Sequence, residues 1–241
     1  MIFQLEICAF NIASCIAAQQ SGAHRIELCA NPFDGGTTPS YGLIKSVREK
    51  LHIELYPIIR PRGGDFFYSG DEYNVMKKDI KLCRELGCDG IAIGILNRDG
   101  TVDIQRNSTL AVLAYPMGVT FHRAFDRTRD AFQAMEAIIE MGCERILTSG
   151  QQPDVMQGLP LIKQLIEVAE ERIIIMPGAG LRSEIIKTVT LQTGAVEFHT
   201  TAKKLLSSEM IFINDDLKEQ LEQVVCDEEE VRKIIALLEI L

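Results

Sequence analysis

No apolar run in this 241-residue chain approaches the length that a membrane-spanning helix needs. Basic residues are also scarce: 25 Lys and Arg against 34 Asp and Glu leave a net charge of −9. Phosphate-backbone binding needs a clustered excess of Lys and Arg, so no nucleic-acid partner is expected. The chain enters a strand-like segment at once, with no basic region ahead of an apolar one, so no secretory signal is expected. None of the seven cysteines forms a CxxC pair, which argues against a structural zinc site. Their odd number and scattered placement suit reduced thiols in a cytoplasm better than a disulfide framework. No lysine falls within a predicted strand, which disfavours a Schiff-base aldolase.

What is present is a regular alternation. At 46% hydrophobic residues the chain can bury a substantial core, and α/β barrels commonly use this length for one domain, here taken as 1–241. The phrase Gly22-Ala23-His24-Arg25-Ile26-Glu27-Leu28 resembles Gly87-Cys88-Asp89-Gly90-Ile91-Ala92-Ile93 and Gly142-Cys143-Glu144-Arg145-Ile146-Leu147-Thr148, and more loosely Gly194-Ala195-Val196-Glu197-Phe198-His199. Each places Gly where a helix ends in a left-handed cap and a short apolar strand begins. Four further strands are expected at 3–8, 53–59, 117–122 and 172–176. Helical stretches fill the gaps near 11–21, 41–50, 71–86, 104–114, 129–141, 160–170 and 182–192. Ser40 and Ser183 suit N-caps, and Pro160 suits a first helical turn. Eight strands alternating with helices predict an α/β fold of the (β/α)8 TIM-barrel type, with an open doubly wound sheet as its rival. From about residue 205 to 241 the chain reads as a C-terminal extension packed on the barrel, of which 215–241 is charged and helical, with Asp227 and Glu230 spaced like a capping box.

Two segments repeat one pattern, Leu5-Glu6-Ile7-Cys8 and Ile26-Glu27-Leu28-Cys29. Side chains alternate along a strand, so the carboxylates and thiols share the face opposite the aliphatic residues. Charged groups are seldom buried without partners, and a barrel keeps its active site at the strand C-terminal ends. Other strand ends supply Arg60 and Arg62, then His122, Arg123 and Asp126, then Thr148, Ser149 and Gly150, and finally Glu197 and His199. Two of the four histidines thus fall at predicted mouth positions. The plainer reading is structural: the glutamates pair with Arg60, Arg62 or Arg123, the cysteines act as small hydrophobes, and the glycines only turn the chain. For Cys15, Cys83, Cys88, Cys143 and Cys226 packing is the expected role.

Several longer motifs resemble those of the CutC copper homeostasis family. They are Glu6-Ile7-Cys8, Arg25-Ile26-Glu27-Leu28-Cys29, Gly35-Gly36-Thr37-Thr38-Pro39-Ser40 and Ile59-Arg60-Pro61-Arg62-Gly63-Gly64-Asp65-Phe66. Thr120-Phe121-His122-Arg123-Ala124-Phe125-Asp126, Leu147-Thr148-Ser149-Gly150, Met176-Pro177-Gly178-Ala179-Gly180 and Glu197-Phe198-His199 extend the match to about residue 205. Phe10-Asn11 stands where the family often has Asp-Ser, and His24 replaces a common Asp. The resemblance implies a cytoplasmic TIM-like barrel, usually oligomeric (a dimer is favoured), that handles intracellular copper and is proposed to bind Cu(I) through the cysteines at positions 8 and 29.

Thiolates are the soft ligands that select Cu(I). Strands lie about 4.8 Å apart, and sulfurs bridging one metal are expected roughly 4–5 Å from each other. Against this, Glu6 and Glu27 oppose thiolate formation unless Arg60 or Arg62 offsets them. The competing reading is an enzyme acting on a small carboxylate or phosphate. Arg60, Arg62 and Arg123 would clamp the anion, with Asp126, Ser149 and the Gly178 and Gly180 turn beside it. Glu6, Glu27, Glu197, His122 and His199 would serve as acids and bases, with Cys29 a potential nucleophile. A scaffold with no polar pocket is the third reading.

Overall fold

The computed structural model describes residues 3–214, 216–218 and 220–241. Strands and helices alternate from the start: β1 (Gln4–Ala9), α1 (Ile12–Gln20), β2 (Arg25–Leu28), α2 (Tyr41–Arg48), β3 (Glu54–Pro57), α3 (Gly70–Glu85), β4 (Gly90–Ile93) and α4 (Ile104–Ala114). The second half runs β5 (Gly118–Phe121), α5 (Ala131–Glu140), β6 (Arg145–Thr148), α6 (Val155–Ala169), β7 (Ile174–Pro177), α7 (Ser183–Thr193) and β8 (Glu197–Thr200). A hairpin of β9 (Lys203–Leu206) and β10 (Gln223–Cys226) then leads into α8 (Glu228–Glu239). The eight barrel strands are parallel, in two four-stranded arcs, β3-β2-β1-β8 and β4-β5-β6-β7. A bridge between Ile58 and Ala92 joins the arcs on one side. Among the described residues no backbone ladder joins β7 to β8, and Arg25 reaches across to the Met176 sulfur instead.

Strand alternation sorts the side chains as expected. Leu5, Ile7, Ile26 and Leu28 are buried in the layer under the helices. Their neighbours Glu6, Cys8, Arg25 and Glu27 share the inner face, with Glu6 in register with Arg25 and Cys8 with Glu27. Side-chain caps fix several helix starts, Ser40 on α2 and a reciprocal Ser69–Glu72 capping box on α3 among them.

Three local expectations are corrected. Asp154 caps α6 by accepting from the Gln157 amide, so the helix starts at Val155 and Pro160 lies inside it rather than in its first turn. Ser183 is the first residue of α7, not its cap: its amide and hydroxyl both donate to Glu230, at 2.8 and 2.9 Å. That contact also diverts Glu230 from the capping box expected with Asp227, which caps α8 alone. The tail is not helical from 215; it becomes helical at Glu228, and β10 precedes it. Of that expected stretch, Asp215 and Glu219 lie outside the described residues.

The barrel interior carries a buried ion network. Arg25, 1% exposed, donates from Nε to Glu6 at 2.5 Å and from Nη2 to Glu197 at 2.6 Å. Arg145 donates from Nε to the same Glu197 oxygen at 3.0 Å. Tyr56 lies between the two guanidinium groups, 5.2 and 5.3 Å from its ring centroid. The ring has room there because Gly90 has no side chain: a Cβ would come 2.0 Å from Tyr56.

Burial pushes the Glu6 carboxyl up, but Arg25 and the hydrogen bond from His199 outweigh it and hold the group at about 2. Arg25→Leu leaves two buried carboxylates short of their cation and is expected to cost about 3–5 kcal/mol in urea unfolding. Because the Glu6 value is depressed on folding, its contribution is present above the ordinary 4.5 and lost as pH falls toward 2. Unfolding midpoints should therefore drop through that window in the native chain and drop less in Glu6→Gln; parallel curves would refute this assignment.

Candidate functional site

The mouth of the barrel holds a cavity of about 280 Å³. Its wall takes Cys8 and Phe10 from the end of β1, Glu27 from β2, Arg60 from beyond β3, His122 and Arg123 from beyond β5, and His199 from β8. Cys8 Sγ lies 3.5 Å from Cys29 Sγ, and Cys29 Sγ lies 3.6 Å from Glu27 Oε2. The two cysteines are not register partners, since Cys29 sits two residues past Glu27, which is the partner of Cys8. The Cys29 amide donates to the Ala9 carbonyl, which carries β2 on to this point. One ligand atom from each of Cys8, Glu27 and Cys29 lies within 4.8 Å of the others, and all three residues are buried.

Among the described residues no Lys or Arg side chain is hydrogen-bonded to either thiol. The hydrogen bond with Cys29 pulls the Cys8 thiol down, but burial and the Glu27 and Glu6 carboxylates leave it at about 11. Burial, with Cys8 and Glu27 adding to it, lifts Cys29 well above the ordinary thiol range. The Glu27 carboxyl is itself pushed up by burial, against the pull of His199. The sulfurs are closer than the 4–5 Å expected of a bridged pair because one thiol hydrogen-bonds the other.

The remaining candidates separate. His199 Nδ1 sits 2.7 Å from Glu6, and its Nε2 is 3.8 Å from Glu27. Burial lowers the His199 pKa, but the two carboxylates outweigh it and raise it. Glu6 and Glu197 belong to the ion network beneath the cavity. Arg60 is committed to structure: its Nη atoms donate to the carbonyls of Asp34, Gly36 and Gly64, and its guanidinium lies 5.0 Å from the Phe66 ring centroid. Arg62 pairs with Glu72 at 2.6 Å and Asp65 at 2.9 Å, away from the cavity wall. The three arginines therefore do not converge. Arg123 reaches the cavity, held from below by Asp126 and Ser149.

Asp126 is saturated by Thr148, the Ser149 amide and hydroxyl, and the Gln151 amide. Gly178 spends its amide on the Thr148 carbonyl, whereas Gly180 lines the cavity beside Ala179. His122 is 2% exposed; burial and Arg60 push its pKa down to about 3. Its ring is therefore neutral and unsuited to proton transfer near neutrality. Arg25 and Arg145, which neutralise the interior, were not singled out from the sequence. Their signal was the Arg-Ile that recurs at the same place in two of the repeated phrases.

Fold and site together define a TIM-type barrel protein with a thiol, carboxyl and imidazole cluster at its strand ends. The CutC family model matches residues 3–204, and the chain belongs to that family. It is 50% identical over 206 residues to a CutC family protein of Chromobacterium violaceum, covering 86% of this chain and 83% of that one. The copper homeostasis protein cutC homolog of Mus musculus is 43% identical over 215 residues, 89% of this chain and 79% of the mouse protein. The crystal structure of CutC from Streptococcus agalactiae superposes with a TM-score of 0.80 at 33% identity, covering 83% of this chain and 99% of that one. Phosphoribosylanthranilate isomerase of Thermotoga maritima, at 12% identity and TM-score 0.62 with full coverage of both chains, shares the fold alone.

Gly94 gives His122 its space, since a Cβ there would come 2.5 Å from the ring Cε1. Gly94→Ala is expected to displace the imidazole and to cost about 1–3 kcal/mol. A crystal structure of the variant with the ring unmoved would refute the tight fit.

Proposed function

We propose that this chain is a cytoplasmic copper-handling protein that binds Cu(I) at the barrel mouth through Cys8 and Cys29. The observation that carries the reading is the pair of buried sulfurs 3.5 Å apart with the Glu27 carboxyl alongside. Soft sulfur donors favour Cu(I) over harder ions. With metal–sulfur bonds near ~2.3 Å, this separation subtends roughly 100° at a shared ion, which leaves one side open to Glu27. The names of the mouse and human relatives, both copper homeostasis proteins, support the same reading.

Both thiols hold their protons well above neutrality, so metal must displace them. Apparent Cu(I) affinity is expected to rise with pH, by about tenfold per pH unit for each proton released. Competition against a chromogenic Cu(I) chelator tests both points. The Cys8→Ser, Cys29→Ser double variant should lose stoichiometric binding, whereas Arg62→Ala should keep it; undiminished affinity in the double variant would end the proposal.

A homo-oligomer, a dimer by preference, belongs to the same reading. Leu205, Leu206, Met210, Ile211, Phe212 and Ile213 are all exposed on and after β9, a band that monomers seldom leave open. Sedimentation should show Ile211→Asp, Phe212→Asp lowering the oligomeric state.

A second reading, an enzyme for a small anionic substrate, is favoured by one observation. The cavity places the His199 imidazole between the Glu6 and Glu27 carboxyls, a proton-handling arrangement that a metal carrier does not need.

A further inference from the structure

We infer that the mouth cavity takes a second ligand, a small organic monocarboxylate with an apolar body, held by His122 and Arg123. The inference rests on the second reading above and not on copper. His122 Nδ1 accepts from the Ala124 amide at 3.2 Å, which places the ring proton of the neutral imidazole on Nε2. That Nε2 is buried and has no partner in the described structure, although the ring forms part of the cavity wall. A buried donor left unpaired is costly, and a ligand oxygen would satisfy it.

Arg123 supplies the charge. Its Nε is held by Asp126 at 2.8 Å and its Nη2 lies 3.0 Å from the Ser149 hydroxyl, while Nη1 has no partner among the described residues. Asp126 thus acts as a positioning residue, turning one edge of the guanidinium to the cavity. Phe10, Pro32, Ile58 and Phe66 give the same cavity an apolar wall, suited to the body of the ligand rather than its head. Its volume, about 280 Å³, is that of a small-metabolite site.

The donors available favour a carboxylate over a phosphate. In this fold phosphates commonly sit after the seventh and eighth strands on the N-terminus of a helix. Here the start of α7 is filled by Glu230, which accepts from the Ser183 amide and hydroxyl. Beyond β8 the chain turns into the β9 hairpin and not into a helix. Arg60, the other guanidinium in the wall, has both Nη atoms on backbone carbonyls and only its buried Nε without a partner among the described residues, so it presents no two-pronged edge. One neutral N–H and one guanidinium edge match a monoanion.

The test uses the metal-free full chain with 15N-labelled histidine at neutral pH. Propionate should shift the His122 Nε2 resonance saturably, while inorganic phosphate and chloride at matched ionic strength should not. Backbone amide shifts at Gly180 then report binding in variants. His122→Asn keeps an acceptor for the Ala124 amide but lacks the Nε2 donor. Arg123→Gln removes the guanidinium charge and its donors from a half-exposed side chain, together with its contacts to Asp126 and Ser149. Each should weaken propionate by about tenfold or more. Phosphate binding as tightly as propionate would overturn the carboxylate assignment, and no saturable shift with propionate would overturn the site. Unchanged affinity in both variants would overturn the two donors. The Cys8→Ser, Cys29→Ser chain separates this from the copper proposal, because it should lose Cu(I) and keep propionate.

Discussion

The rest of this barrel depends on one guanidinium, that of Arg25. It is buried inside the ring of strands, where a lone charge would be prohibitive. Glu6, Glu197 and, across Glu197, Arg145 make the interior nearly neutral, with Tyr56 filling the space between the cations. The residues concerned come from β1, β2, β3, β6 and β8, so the network fixes both arcs of the ring relative to each other. A hydrophobic filling could give as much stability. What the charges add is a defined floor beneath the mouth, with Glu6 turned so that its second oxygen meets His199.

That floor decides the chemistry above it. Two of the three interior glutamates are spent on arginines, and Glu27 alone stands beside the thiols. With no Lys or Arg hydrogen-bonded to them among the described residues, Cys8 and Cys29 stay protonated, which suits a soft metal able to displace protons and does not suit a thiolate nucleophile. The nucleophilic role considered for Cys29 thus has no electrostatic support. His122, held neutral by burial and Arg60, is a donor and not a base.

Much of this was legible in the sequence, and for a physical reason. Alternation along Leu5-Glu6-Ile7-Cys8 and Ile26-Glu27-Leu28-Cys29 is a local property, so the inward set could be read without the fold. The glycine-led phrases marked four of the eight barrel strands in the same way. The partners of the glutamates were not legible. Arg60 and Arg62 follow β3 closely in sequence, yet Arg60 braces loop carbonyls and Arg62 pairs with Asp65 and Glu72. Arg25 and Arg145 took the role because strand register sets Glu6 opposite Arg25, and register is a property of pairing, invisible in either strand alone. The tail failed for a related reason: Glu230 fits a capping box locally, but Ser183 on another helix offers two donors at once.

The mouth then sets a group of neutral side chains beside the fixed guanidinium groups of Arg60 and Arg123. The two thiols hold their protons, His122 is neutral, and Glu27 is pushed toward its neutral form. As proposed, Cu(I) held by two thiolates would carry a net negative charge, whereas a carboxylate resting on Arg123 would be offset by the guanidinium. Arg60, Arg123 and Lys203 all line the cavity of about 280 Å³, so these cations would screen the two proposed occupants from each other. Whatever coupling survives that screening would be reciprocal, since linkage acts equally on both ligands.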